Sequence, residues 1–392
     1  MHLKHDRNLI KTLYFLIYAC MGSYGVFMPV YLESISVSQR DIGLLLSASV
    51  GITAASSLVW GFISDRYHSR NAILSICIIG YGLFISLYLF THSIFLISIF
   101  TIAAAFFFKP LLPLIDGAAL ETVRHPEAAA SFGDLRVWGT IGFLYANFAL
   151  SYIIGVSGLQ SLFIINISLS VIALSIPYFL EKNNLRVAKE KVKFSSLSFF
   201  LHKNFIIIFI IGVIIEIGCS AIYGCYSLFL SKLGFSNQMI GIAWGAGVFV
   251  EIPVLLLSDK IIAAFGVKFS IISGLTAHII KFIFLAFVDI HTPAYIIIVM
   301  QITHGIFFGA FYPALVKLVN ISTPSNLNNT GQSLFIASTY AIGAIIGFML
   351  NGYLSDFYGF SKLFMINSLL IMFGAASYFF IDIKGMVIYE KK

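Results

Sequence analysis

Charge is what this sequence has least of. Of its 392 residues 10% are Asp, Glu, Lys or Arg, against 59% that are hydrophobic. A soluble chain averages about 25% charged residues and could not cover its surface with so few. A soluble fold is therefore excluded. Cysteine is scarce as well. Cys20, Cys77, Cys219 and Cys225 all fall inside apolar runs, so neither a disulfide framework nor a metal site is expected. No glycine-rich phosphate loop carries a lysine, which leaves ATP-driven chemistry without support. No soluble catalytic constellation occurs either. The chain is expected to be no enzyme and to need no cofactor.

What is present is a series of apolar runs of about 20 residues, each long enough to cross roughly 30 Å of hydrocarbon. About twelve spans are predicted. The first six run roughly over 9–33, 41–63, 71–91, 94–120, 133–156 and 160–181, and the second six roughly over 204–231, 237–257, 268–289, 293–319, 329–354 and 360–382. This is an all-α, multi-pass membrane protein. MHLKHDRNLIK precedes an apolar run with no small-residue cleavage signature, so it reads as the start of a first span. The longest polar stretch, 181–204, separates the two sets. The expected organisation is thus a helical bundle over 1–181, a basic linker over 182–203 and a second bundle over 204–392.

The net charge of +7 could suggest nucleic acid. Its distribution argues otherwise. With the N-terminus inside, the inner loops carry Lys4, Arg7, Arg66, Arg70, Arg124, the linker cluster, Lys260, Lys268, Lys384, Lys391 and Lys392, while the outer loops carry Arg40, Lys232 and Lys362. That one-sided bias is a topology signal. It puts both termini in the cytoplasm, across an inner membrane, and leaves nucleic acid unnecessary. The expected partners are a small-molecule substrate, protons and the lipid bilayer, with the chain acting as a monomer.

The halves repeat. YGVFMPVYLESISVSQRDIGL (24–44) and YGCYSLFLSKLGFSNQMIGI (223–242) share Tyr-Gly, an apolar helix end, a polar turn and an Ile-Gly opening. The helix after each ends in Ser-Asp-basic, at Ser64-Asp65-Arg66 and Ser258-Asp259-Lys260. Parallel six-helix repeats are a transporter architecture.

GFISDRYHSR (61–70) resembles the loop signature of the major facilitator superfamily through Gly61, Asp65, Arg66 and Arg70, with His68 and Ser69 departing from it. FFFKPLLPLIDG (106–117), SFGDLRVWGTIGF (131–143), GVFVEIPVLLLSDK (247–260) and QITHGIFFGAFYPAL (301–315) look like the phenylpropionate-permease-like branch. That branch is related to lactose permease and the nucleoside proton symporters. The resemblance implies two pseudo-symmetric six-helix bundles around a central cavity, alternating access and proton coupling.

Charges within the spans then stand out, because each costs roughly 2.5–3.5 kcal/mol at mid-bilayer and usually faces a bundle interior. Lys109 and Asp116 lie seven apart, about 10 Å along a helix, with Pro110 and Pro113 between them. They are too distant to pair, so a partner for Asp116 is expected from Arg136 on the next span. The lactose-permease relatives have a carboxylate and an arginine at matching positions. The resemblance therefore implies a substrate and coupling role for Asp116 and Arg136, the alternative being a pair that locks two helices. Glu251 shares a helix face with Trp244, seven residues earlier, and an acid beside a ring suits a cavity wall. Glu216 has Cys219, Ser220 and Tyr223 on its face, so either coupling or hydrogen bonding to neighbours fits it. Gln301 and His304 form a polar stripe that the branch resemblance includes. Lactose permease has a carboxylate one turn further on, where this chain has Phe307 and Phe308. His278 and Lys281 share a face on the ninth helix, often peripheral in this fold. Asp65, with Arg66, Arg70 and Arg124, reads as a cytoplasmic gating latch. Gly133, Gly139 and Gly142, and Gly241, Gly245 and Gly247, are expected to allow close helix approach.

The expected function is proton-coupled import of a small organic solute. Basic cavity residues suit a carboxylate-bearing compound, such as an aromatic acid or a polycarboxylate siderophore. A sugar or nucleoside symporter and a proton-antiporting exporter of drugs or metabolites are the alternatives. A sensor without transport is disfavoured by the paired halves.

Overall fold

The computed structural model describes residues 2–67, 70–124, 131–180, 203–323, 332, 335 and 337–378. Among these residues the chain is helical throughout, without strands. The expected linker, 182–203, lies outside them except for Lys203.

The helices are α1 (His2–Ser34), α2 (Gln39–Tyr67), α3 (Arg70–Phe90), α4 (Ile94–Val123), α5 (Phe132–Ser157), α6 (Ser161–Phe179) and α7 (Lys203–Lys232). Then come α8 (237–265), α9 (267–287), α10 (Ala294–Ile321), α11 (337–358) and α12 (360–377). Among the described residues, nine continuous helical runs are long and apolar enough to cross a membrane. Two of those runs hold two helices each. The run Asn237–Phe287 has 51 residues, about 75 Å of helix, more than twice a bilayer core. It breaks at Gly266 (φ 85°), and the run through 377 breaks at Gly359 (φ 78°). Only a residue without a Cβ adopts that conformation cheaply, so the two glycines turn the chain where an apolar pattern alone would run on. With α2, this yields the twelve helices expected. A capping box opens α5: Ser131 Oγ accepts from the Asp134 amide at 3.2 Å, and Asp134 Oδ2 accepts from the Ser131 amide at 2.8 Å.

Contacts divide the chain into two compact units. One is Met1–Ala188 with Leu230–Gly245, and the other is Lys189–Phe229 with Ala246–Lys392. In the first, α1 packs on α5 and α6, α3 on α4 and α6, and α2 on α4. The crossing of α1 and α5 is made by Gly142: a Cβ there would fall on the Phe15 carbonyl and within 2.8 Å of Phe15 Cα. Backbone cannot yield as a side chain can, so Gly142→Ala is expected to destabilise the protein by about 1–3 kcal/mol, the usual overpacking cost. A melting curve of the lipid-reconstituted variant checks this.

The end of α7 and the start of α8 fall in the first unit for packing reasons. Gly241 sits against Ser151 Cβ and the Asn147 carbonyl, Gly245 faces the Phe148 ring, and Lys232 Nζ lies 3.4 Å from Glu33 Oε1. The residues contacted on α5 include the π-helical segment Ala146–Leu150.

In the second unit α7 takes the place α1 has in the first. Gly347 of α11 packs on Ile217 and Ser220, and Gly218 of α7 on Ile371 of α12. Each half also ties its first helix to its last through asparagine. Asn166 of α6 donates to Ser23 Oγ at 3.1 Å and accepts from Tyr81 OH at 2.8 Å. Asn367 of α12 donates to Asn351 Oδ1 at 2.7 Å, and Asn351 donates to Ser220 Oγ at 3.0 Å. In a bilayer these amides have no water to turn to, so mutual satisfaction sets helix register.

Candidate functional site

The first unit brings Asp116 and Arg136 together. Arg136 Nε stands 3.9 Å from Asp116 Oδ1, and the same oxygen accepts from Tyr14 OH at 2.5 Å. The guanidinium lies over Tyr18, 4.4 Å from the ring centroid, and 5.6 Å from that of Tyr14. Gly139 lets α5 approach α1 here, since a Cβ would come within 2.8 Å of the Tyr18 ring. The acid is thus held by a phenol and the base by ring faces. The two charges touch only loosely, and both side chains are over a third exposed (38% and 37%).

Lys109 does not join them. It sits in the turn between two helical stretches of α4, where Pro110 denies the chain a backbone donor, and its side chain is exposed. It makes no ion pair among the described residues.

The second unit holds a different cluster. Lys281 of α9 is 1% exposed and donates to Gln301 Oε1 at 2.9 Å. Gln301 Nε2 in turn donates to Tyr226 OH, and the ammonium lies 5.0 Å from the Tyr226 ring centroid. Among the described residues no carboxylate lies within 4 Å of Lys281. His278, one turn earlier, is equally buried. Its ring stacks on Phe307 at 3.9 Å and lies 6.3 Å from the ring of His304, and among the described residues neither of its nitrogens has a hydrogen-bond partner. His304 is buried on α10, where Gly247 of α8 packs against its ring. The ninth helix therefore contributes a central polar group of this unit rather than a peripheral one. The spacing of His278 and Lys281 was the signal for it.

Glu251 is half-buried on α8. Gly305 of α10 packs directly on its backbone nitrogen, and among the described residues its carboxylate forms neither a hydrogen bond nor an ion pair. Trp244 is buried in the first unit, whereas Glu251 belongs to the second. Glu216, half-buried on α7, lines a small cavity with Cys219 and Tyr223 of the same helix. Cys219 lies within electrostatic range of both Glu216 and Lys281, and Tyr223 within range of both Glu216 and Glu251.

The latch region is described in part. The side chains of Asp65, Arg66 and Arg124 lie outside the description. Arg70 makes a two-pronged pair with Glu121, at 2.5 and 2.7 Å. Glu121 was not singled out from sequence, although an acid at the basic end of a span was its signal. Among the described residues no group of three His, Cys, Asp or Glu side chains could hold a metal ion.

These features sit on a fold with known counterparts. The model of the MFS_1 like family matches residues 8–366. The chain belongs to that family. Its sequence is 23% identical over 371 residues to the uncharacterized transporter YwbF of Bacillus subtilis, covering 93% of this chain and 90% of that one. It is 21% identical over 373 residues to the maltose permease of Geobacillus stearothermophilus, covering 94% and 92%. It is 22% identical over 246 residues to the probable 3-phenylpropionic acid transporter of Escherichia coli, covering 61% and 64%. Its fold superimposes on the crystal structure of the nucleoside transporter NupG with a TM-score of 0.85 at 18% identity, covering 97% of this chain and 99% of that one. The protein is a multi-pass membrane transporter of the major facilitator type and not an enzyme.

Proposed function

We propose that this family member is a proton-coupled importer of a small organic solute bearing an anionic group. The observation that carries this reading is Lys281. A fully buried ammonium met, among the described residues, by an amide oxygen and a ring is expensive in the absence of a counter-charge. An anionic solute supplies that counter-charge. Within the first unit, Arg136, resting over the rings of Tyr14 and Tyr18, is a cation open to an anion as well. Glu251, an acid with no hydrogen bond or ion pair among the described residues, is the site for the coupling proton, and Asp116 is the acid that an anion at Arg136 displaces. The acidic and aromatic classes named for one relative fit this chemistry. We place the chain in the inner membrane with its termini inside, an orientation that the positive-inside bias supports.

Nucleosides are an equal reading of the same site. The near-parallel rings of His278, Phe307 and Phe311, spaced 3.9 and 5.1 Å, offer a face to a flat base. The experiment is uptake into proteoliposomes under an inward proton gradient, with aromatic acids and nucleosides offered in parallel. Accumulation of an acid that a proton uncoupler abolishes supports the first reading. Accumulation of nucleosides alone selects the second, and gradient-driven loss of solute from the lumen would make the protein an exporter.

Lys281→Met separates function from stability. Methionine keeps the volume and removes the buried charge, so the melting temperature is expected to hold or rise. Affinity for an anionic solute should fall at least tenfold, about 1.4 kcal/mol. A destabilised variant with normal affinity would make Lys281 structural.

A further inference from the structure

One acid has no part in the mechanism above. The carboxylate of Glu216 makes no hydrogen bond or ion pair among the described residues, although it is half-buried in a membrane helix. Its stem is clamped. A Cβ on Gly343 of α11 would come within 2.7 Å of Glu216 Cβ and 3.0 Å of its Cγ. The side chain lines a cavity of about 20 Å³, space for one water-sized group.

The rest of the wall is aromatic. Tyr223, Tyr312 and Tyr340 line it, with Phe307, Phe308 and Phe311. The phenylalanines all belong to the π-helical segment Phe307–Phe311, and Tyr340 belongs to the second such segment of this unit, Ala337–Gly343. A π turn inserts one residue and re-aims the side chains beyond it, and such turns recur at functional sites. Two of them here deliver side chains to one cavity.

An acid enclosed by ring faces is chemistry for a cation. The carboxylate supplies the charge, the ring quadrupoles attract the same ligand, and phenol oxygens accept N–H bonds. Calcium takes about six to eight oxygen ligands, more than one carboxylate and three phenols supply. A quaternary ammonium exceeds the space, whereas an NH3 group is close to water in size. We infer that the Glu216 cavity binds a primary ammonium group carried by the transported solute. That the ligand is the transported solute rests on the transport reading; the pocket itself does not. Lys281 and Glu216 both stand within range of Cys219, so one solute carrying an amine and an acid would meet a counter-charge for each within the same unit.

The test is the melting temperature of the full chain in lipid nanodiscs at neutral pH and constant ionic strength. Phenethylamine, benzyltrimethylammonium and sodium chloride are the probes. Phenethylamine is expected to raise the melting temperature, and the other two are not. Glu216→Gln should abolish the rise and Glu251→Gln should keep it. Tyr340→Phe, which keeps the ring and removes one acceptor, should shift the phenethylamine dose curve by about threefold or more, and covers the case in which Glu216→Gln does not fold. No rise with phenethylamine overturns the inference. So does a rise that survives in Glu216→Gln, or one that sodium or the quaternary ion reproduces. If proton-driven uptake fails while the Glu216-dependent rise stands, the transport reading falls and the pocket remains.

Discussion

Arg136→Gln is expected to lower uptake by about a hundredfold while leaving a folded protein. The size follows from the roughly 1.5–3 kcal/mol attached to a charge-assisted contact. The geometry says why the loss falls on transport. A pair that merely locked α4 to α5 would be buried and within hydrogen-bond distance. Here the ions stand 3.9 Å apart and each side chain is more than a third exposed. Asp116 already has a firm partner in Tyr14, at 2.5 Å, and Arg136 rests on the rings of Tyr14 and Tyr18. Its guanidinium fork is therefore available to an incoming anion, and exchanging Asp116 for that anion costs little. Glutamine keeps part of the length and two donors but loses the charge. Reconstituted uptake alongside a melting curve measures both effects. Unchanged affinity and rate would remove Arg136 from the site, and a collapsed melting temperature would return the pair to the role of a lock.

Glu251→Gln should behave differently. Exchange of solute down its gradient is expected to persist, and accumulation against a gradient to disappear. Two acids, Asp116 and Glu251, enter the proposed mechanism. Asp116 has Tyr14 and Arg136 beside it. Among the described residues Glu251 has no such partner, and α10 carries no carboxylate near His304, where Phe307 and Phe308 stand instead. The neutral amide keeps the shape of Glu251 and cannot release a proton, so coupling should go while the pathway stays. Counterflow and proton-driven uptake, measured on the same vesicles, separate the two activities. A variant that still concentrates solute would place the carrier elsewhere and leave Glu216 to be tried in that role.

The sequence by itself determined the class of fold, because twelve apolar runs with 10% charge have no other soluble or folded solution. It also determined which charges to look at, since each ionisable group inside a span stands out against so apolar a background. It reached the pairing of Asp116 with Arg136, because their helices are consecutive and joined by a short loop. Lys281 and Gln301 also lie on consecutive helices, 20 residues apart, but a neutral amide carries no opposite charge to mark it as the partner, and Arg70 and Glu121 lie 51 apart. Periodicity reports which residues share a face but not which face of which helix lies opposite, and several partners satisfy the same pattern. Tertiary packing alone decided those partners. It also decided that Gly343 of α11 closes over Glu216, and that two π turns direct their rings into one cavity. A π turn arises from one inserted residue, which leaves composition and hydropathy unchanged and becomes visible only when backbone carbonyls find their amides in space.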